Sequence, residues 1–396
     1  MWSKMLSEKR IVLGVSGGIA SYKSVEISRR LVDAGAFVSP IMTSAAKKFI
    51  GEVTLSALAS EPVKSSLWDD DDPIPHTTLG QQADLILVAP ATAKLIGTYA
   101  AGISSDLLSA TLLATRAPVI LCPAMHTEMW EHPAVQENIN TLKSRGVVIV
   151  DPEDGILAGG DLGKGRLAGV EAILSEVEST LTKKDLSNLR LLITAGGTRE
   201  PIDPVRYITN KSSGKQGYAL AKAAHLRGAE VTLVTTMPDD APFGVEVLCA
   251  ETASDMRNVV MGIQSEYDVI IMAAAIADFR PAEISEQKIK KRKGSTNLKL
   301  ENTHDFLIDL GKGKRPEQTI VGFAAETEHL EENALEKLER KHLDLIVANN
   351  VSHPGVGFSY DTNEVTIMSQ DSKWTLPLSD KRIIADGILD ALLEVR

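Results

Sequence analysis

A glycine-rich turn set between a continuous apolar run and an amphipathic stretch occurs twice in this chain, once in each half. Ile11–Val15 reads as a buried strand, Ser16-Gly17-Gly18 as its turn, and 19–33 as a helix closed by Gly35, with Phe37–Met42 the next strand. A further apolar strand, 83–88, ends at Ala89-Pro90-Ala91-Thr92. In the second half Leu191–Thr194 runs into Ala195-Gly196-Gly197, a helix covers 218–227 before Gly228, and Glu230–Thr235 is a strand. Residues 267–272 then enter the run Ala273–Asp278. Strands without alternation are buried on both faces, and with helices between them they imply parallel sheets. The expected fold class is therefore α/β, with two Rossmann-like, doubly wound modules. Ligands of such sheets bind beyond the carboxyl ends of the strands, where both turns lie. A chain of 396 residues also exceeds one ordinary core. The expected division is a domain over 1–180, a polar linker over 181–189 and a domain over 190–396.

Composition narrows the partners. A net charge of −11 and 4% aromatic residues argue against a nucleic-acid binder, which needs a basic surface and stacking platforms. The most apolar run, 83–93, is too short to span a bilayer and contains Pro90. No apolar leader precedes the first strand. Cys122 and Cys249 form no CxxC pair and no metal spacing, so a reduced, cytoplasmic compartment is expected.

The first turn, Gly14–Lys23, is not a dinucleotide GxGxxG fingerprint. The Ser16 hydroxyl and the glycine amides at a helix start suit one terminal phosphate, and a purely structural turn fits equally. Together with Met42-Thr43, His76 in His-Thr-Thr-Leu-Gly80, Ala89–Ala93 and Pro123–Trp130, this segment resembles the flavin-containing cysteine decarboxylases, specifically phosphopantothenoylcysteine decarboxylase. The resemblance implies a flavodoxin-like fold holding FMN between subunits of a trimer, with Ser16, Gly17, Gly18, Thr43 and Ser105 at the cofactor. In that family the flavin oxidises the cysteinyl thiol, the thioaldehyde loses CO2, and the ene-thiol is then reduced. The carry-over makes His76 the active-site base and places His126 and Met129 near the substrate. Read alone, His76 after the acidic stretch Asp69–Asp72 would be an ordinary solvated histidine.

Three positions depart from that pattern. The PxMN motif reads Pro123-Ala124-Met125-His126, and a protonated imidazole can pair with a carboxylate where an amide only hydrogen-bonds. Ser105 stands where an asparagine is expected. In the flap, 158–166, Gly159 replaces the cysteine that in the family serves as the acid. Cys122 and His126 are the candidate replacement donors, and for Cys122 a small packing residue is the plainer reading.

In the second half, Ile193–Gly217 combines a glycine-rich strand end, a proline-stiffened loop with Arg199 and Arg206, and a phosphate-type turn, Ser212–Gly217, that opens a helix without being a Walker A. The segment resembles phosphopantothenate–cysteine ligase. The match continues through Ala273–Asp278, Lys288–Lys291, Thr303–Leu307, Gly322–Glu326, Lys337, Lys341 and Leu343–Asn349. It implies that CTP and Mg2+ activate the carboxylate of 4′-phosphopantothenate as an acyl-cytidylate, which the amine of cysteine attacks. The nucleotide is then expected near Ala273, Ala274, Ala275, Asp278, Lys288, His304, Asp305, Phe306, Leu307, Phe323, Lys337 and Lys341. Asn210, Arg206 and Lys288 carry the catalytic roles, and no metal ligand is assigned. Cations are needed because a carboxylate and a phosphate repel. Lys288–Lys293 would be a local positive funnel in an acidic chain, where a solvated basic loop or a nucleic-acid patch is the plainer reading. His304 replaces a usual proline and Asn350 a usual aspartate. The resemblance also implies a homo-oligomer, trimeric through the first module and dimeric through the second.

Two other functions fit less of the chain. An NAD-dependent oxidoreductase needs an acidic residue closing the second strand, and these strands end at Met42-Thr43 and Thr235-Thr236. A ligase fused to a flavoprotein that binds or regulates without decarboxylating would follow from the missing flap cysteine.

Overall fold

The structure, a computed structural model, describes residues 6–68, 72–290, 297–353, 355–357 and 360–396. Asp69–Asp71 of the acidic stretch and Lys291–Lys293 of the basic cluster lie outside the described residues. Two compact units result, one up to Thr182 and one from Lys183 on.

The first unit runs β1 (Arg10–Val15), α1 (Lys23–Asp33), β2 (Phe37–Met42), α2 (Glu52–Ser56), α3 (Pro75–Gln82), β3 (Leu85–Ala91), α4 (Ala93–Ala100), α5 (Leu107–Ala114), β4 (Val119–Pro123), α6 (Thr127–Trp130), α7 (Pro133–Ser144), β5 (Val148–Ile149), β6 (Glu153–Ile156), β7 (Leu162–Arg166) and α8 (Val170–Leu181). Its parallel sheet has the order β2-β1-β3-β4-β5. That is the flavodoxin-like arrangement, with its switch point between β1 and β3. Ile11, Leu13, Leu85 and Leu87 fill one face and Val12, Ile86 and Val88 the other, which is why these strands show no polar alternation. The helix expected over 19–33 is divided. Ser21 Oγ donates to the carbonyls of Ser16 and Gly18, tightening 19–22 into a 3-10 turn before α1 begins.

The second unit runs β8 (Arg190–Ala195), β9 (Arg199–Asp203), β10 (Arg206–Thr209), α9 (Lys215–Leu226), β11 (Glu230–Thr235), β12 (Glu246–Cys249), α10 (Ala253–Ile263), β13 (Val269–Met272), β14 (Phe279–Pro281), β15 (Leu300–Asn302), α11 (Phe306–Gly313), β16 (Thr319–Glu326), α12 (Leu330–Arg340), β17 (Leu345–Asn350), β18 (Thr362–Met368), β19 (Lys373–Asp380) and α13 (Lys381–Val395). Its sheet order is β12-β11-β8-β13-β16-β17-β18-β19. The first six strands are parallel in the Rossmann order, whereas β18 and β19 are antiparallel. The parallel expectation fails at this edge, where the described residues of the short 351–361 connection carry no crossover helix, without which a parallel return cannot be made. The 181–189 stretch is not a free tether. Leu186 is fully buried in the core of the second unit, and Asp185 pairs with Arg227 at 2.8 Å.

Candidate functional site

In the first unit the carboxyl ends of β1, β2, β3 and β4 open onto one cleft of about 650 Å³, within the range that takes a small cofactor. Ser16, Gly17 and Gly18, Thr43, Ser105, His126 and Met129 all line it. Leu95, Met125, Leu157 and Leu167 add apolar wall suited to a flat ring. A Cβ at Gly17 would stand 2.3 Å from that of Ala45, so only glycine lets the turns after β1 and β2 meet. At Gly18 the nearest atom to such a Cβ would be the Thr92 methyl, 3.7 Å away, so that face of the turn stays open.

The Ser16 hydroxyl is not the free donor the turn suggested. It donates to the carbonyl of Pro90 at 2.7 Å and accepts from Thr92 N at 3.0 Å, stapling the ends of β1 and β3. Its single hydrogen is thus used, and the neighbouring backbone is what remains for an anion. Sequence reading missed Lys23 and Arg166, which also line the cleft. Burial and the Arg166 charge push the Lys23 amine below its usual range, and its Nζ donates to Leu167 O at 3.2 Å.

His126 is the best-defined polar group of the cleft. Its Nδ1 pairs with Glu128 and its Nε2 lies 3.1 Å from Asp161 Oδ2. The hydrogen bond it donates to Glu128, followed by the charges of Glu128 and Asp161, raises its pKa above the usual histidine value. Met125 N donates to Gly165 O at 3.0 Å, joining the 123–130 segment to the β6–β7 flap. A Cβ built on Gly159 would sit 3.3 Å from His126 Nε2. The imidazole therefore stands beside the space that a flap side chain would enter.

Two expected residues are placed elsewhere. Cys122 is fully enclosed in the core of the unit, burial drives its thiol pKa strongly upward, and it does not line the cleft. Its position as an inward residue of β4 accounts for this, and it is corrected from candidate donor to packing residue. His76 sits half-buried on α3, away from the cleft lining, with Nδ1 buried and unpartnered among the described residues.

In the second unit, backbone bonds draw the expected motifs together at the ends of β8 and β13. Gly196 (φ +91°) and Gly214 (φ +72°) use the left-handed region, and a Cβ on Gly214 would come within 3.1 Å of Gly196 N. The start of α9 is thereby pressed onto the end of β8. Ala275 N donates to Gly196 O, Thr198 N to Ala275 O, and Ala277 N to the Thr198 hydroxyl. Asn210 Nδ2 donates to the carbonyls of Ala275 and Ile276 at 3.0 and 3.1 Å. Thr303 N donates to Asp278 O, bringing His304 and Asp305 to the same ring. Ala273, Ala274 and Ala275 are half-buried and Asp278 is exposed.

Four of the expected basic side chains of this unit are already engaged. Lys337 pairs with Glu326, and Lys341 with Asp305 at 2.8 Å. His304 pairs with Asp309 at 2.7 Å. Arg206 grips Asp203, and its Nη2 also donates to Ile289 O at 2.9 Å. Lys288 is exposed, with no partner among the described residues. Phe306, expected at the nucleotide, is 2% exposed and packs in the core as the first residue of α11, so its ring is not offered to a ligand. Leu307 and Phe323 are half-buried. Glu326, Asp203 and Thr198 lie in the matched segments, but nothing in the sequence singled out their side chains or named their partners. No group of three or more metal-ligating side chains occurs among the described residues, and no described helix is long and apolar enough to cross a membrane.

Residues 2–182 match the flavoprotein family, and residues 186–395 match the DNA/pantothenate metabolism flavoprotein C-terminal domain. The coenzyme A biosynthesis bifunctional protein CoaBC of Bacillus subtilis (strain 168) is 44% identical over 396 residues, covering 98% of this chain and 97% of its own. The protein of the same name from Vibrio cholerae serotype O1 is 43% identical over 394 residues, covering 98% and 99%. Among solved structures, the C-terminal domain of a CoaBC protein is 40% identical over 53% of this chain and 96% of its own, with a TM-score of 0.45.

Proposed function

The chain belongs to the family of bifunctional coenzyme A biosynthesis proteins, and we propose how its two units divide the work. The second unit joins cysteine to 4′-phosphopantothenate at the expense of CTP and Mg2+. The first decarboxylates the phosphopantothenoylcysteine so formed. The enzyme is a cytoplasmic homo-oligomer, trimeric through the first unit and dimeric through the second.

In the first unit the Gly17–Gly18 backbone, Thr43 and Ser105 hold FMN, for which the cleft has the volume, the bare glycine turn and the apolar walls. Bound there, the flavin supplies a two-electron acceptor that later returns the pair. Met129 and His126 line the space beside it. His126, whose pKa Glu128 and Asp161 raise, pairs with the substrate carboxylate and gives the proton that a flap residue would otherwise give. His76, which does not line this cleft, acts as the base from a neighbouring subunit of the trimer.

In the ligase unit Lys288 meets the triphosphate, with Asp278 and the Ala273–Ala275 backbone at the nucleotide and Lys337 and Lys341 in reserve. His304, Asp305, Leu307 and Phe323 border it, and Asn210 orients the acyl-cytidylate for attack. The observation that carries this reading is the Asn210 amide bonded to the Ala275 and Ile276 carbonyls, which joins the asparagine loop to the alanine loop. The test supplies CTP, ATP or UTP with 4′-phosphopantothenate, cysteine and Mg2+, and measures pyrophosphate, CO2 and the flavin spectrum. CTP-specific pyrophosphate release followed by CO2 is expected. Release with ATP alone overturns the CTP assignment, and a protein that cannot be loaded with FMN overturns the flavin assignment.

A further inference from the structure

Among the described residues of the ligase unit Asp203 is the most heavily bonded carboxylate, and no role has yet been given to it. It ends β9, and its side chain is fully shielded from solvent. Oδ1 accepts from the amides of Val205 and Arg206, both at 2.9 Å, which is an ordinary turn-forming use of aspartate. A turn does not account for Oδ2. That oxygen accepts from Arg206 Nε at 3.0 Å, from Arg206 Nη2, and from Ile289 N at 3.1 Å, far along the chain. Arg206 then closes the loop by donating to Ile289 O. A second tie lies nearby, where Ser285 N donates to Ile202 O at 3.0 Å.

Both backbone groups of Ile289 are thus anchored to the β9–β10 hairpin, one residue beyond Lys288. The Lys288 backbone is fixed while its side chain remains exposed and free to reach. We propose that Asp203 and Arg206 are positioning residues for the ligase reaction, a buckle that holds the base of Lys288 at the nucleotide's phosphates. This rests on the reading of Lys288 as the phosphate cation and assigns Arg206 to the buckle rather than to the reacting atoms. The guanidinium holds the Asp203 carboxyl well below the usual carboxylate range.

The test is a double-mutant cycle on the full chain, read as the Kd of CTP with Mg2+ by calorimetry, beside hydrogen exchange at the Ile289 amide. Asp203→Asn is expected to weaken CTP about tenfold, the effect of losing a charge-assisted bond, and to speed exchange at Ile289. Lys288→Gln is expected to weaken CTP as well, and the double variant should bind no worse than Lys288→Gln alone. Arg206→Lys, which keeps the charge but loses the fork, should give a smaller loss and repeats the cycle if Asp203→Asn does not fold. Native CTP affinity in Asp203→Asn beside a weakened Lys288→Gln overturns the buckle alone. Losses that multiply in the double variant also overturn it, since they mark general structural damage. Native affinity in Lys288→Gln removes the nucleotide reading, and the buckle's purpose with it.

Discussion

The two units place their ligand-binding loops at the same address, the carboxyl ends of the central strands, yet prepare them differently. The first has an open, walled cleft with a glycine turn at its base. The second has loops cross-bonded into a ring, with Lys337 and Lys341 resting on Glu326 and Asp305. A group that stays bound favours a preformed cavity, because its ordering cost is met once. A charged co-substrate that enters and leaves at each turnover favours cations whose partners can be exchanged for phosphate. On the proposed roles, the difference would separate a cofactor site from a turnover site on one architecture.

The hardest break of this comparison is Lys288→Gln. On the proposed reading it should cut CTP-dependent pyrophosphate release by about a thousandfold, since an exposed cation with no partner among the described residues would meet the charge that develops. Bound FMN, measured by absorbance, should be unchanged. Pyrophosphate release at the native rate would leave the second unit without its phosphate cation.

Next in size is His126→Ala, expected to slow decarboxylation about a hundredfold, at the lower end of what a positioned proton donor contributes. Pyrophosphate release should stay native. A full rate of CO2 and 4′-phosphopantetheine formation would remove the imidazole from the chemistry.

What was legible beforehand follows from the range of each interaction. Ile11–Val15 and Leu191–Thr194 are readable as buried strands because burial on both faces writes itself into consecutive residues. The glycine turns are readable because Gly17 and Gly214 occupy backbone sites that a side chain would obstruct. The motif residues around the ring were legible only through their resemblance to a family. Pairings between distant positions leave no periodicity: Ser16 with Pro90, His126 with Asp161, Asn210 with Ala275, and Asp203 with Ile289 were all invisible. The antiparallel edge was hidden because neither the mostly buried pattern of β18 nor the exposed to half-buried pattern of β19 states a direction.

A finer test uses pH. Glu128 is the main cause of the raised His126 pKa. A raised histidine keeps its proton below that pKa and loses it as pH climbs through it, so decarboxylation should fall on the alkaline side at a pH above the ordinary histidine range. Glu128→Gln removes the main cause, and the fall should move to lower pH. An NMR titration of His126 beside single-turnover rates checks both, and an alkaline limb that stays put would detach the rate from this imidazole.

The smallest effect is the most specific to the comparison. Glu326 is largely buried and holds Lys337 in the free protein. If that carboxylate is a placeholder for phosphate, it competes with the nucleotide for the same ammonium. Glu326→Gln then removes a competitor and an adjacent negative charge together, so the KM for CTP should fall about threefold, the scale of a partly exposed ion pair. Lys337→Met should raise it by a similar factor. If instead the pair serves to hold α12 against β16, both substitutions loosen the same contact and the KM rises in each. Opposite signs from the two halves of one ion pair therefore separate a cation held in reserve from a structural bridge.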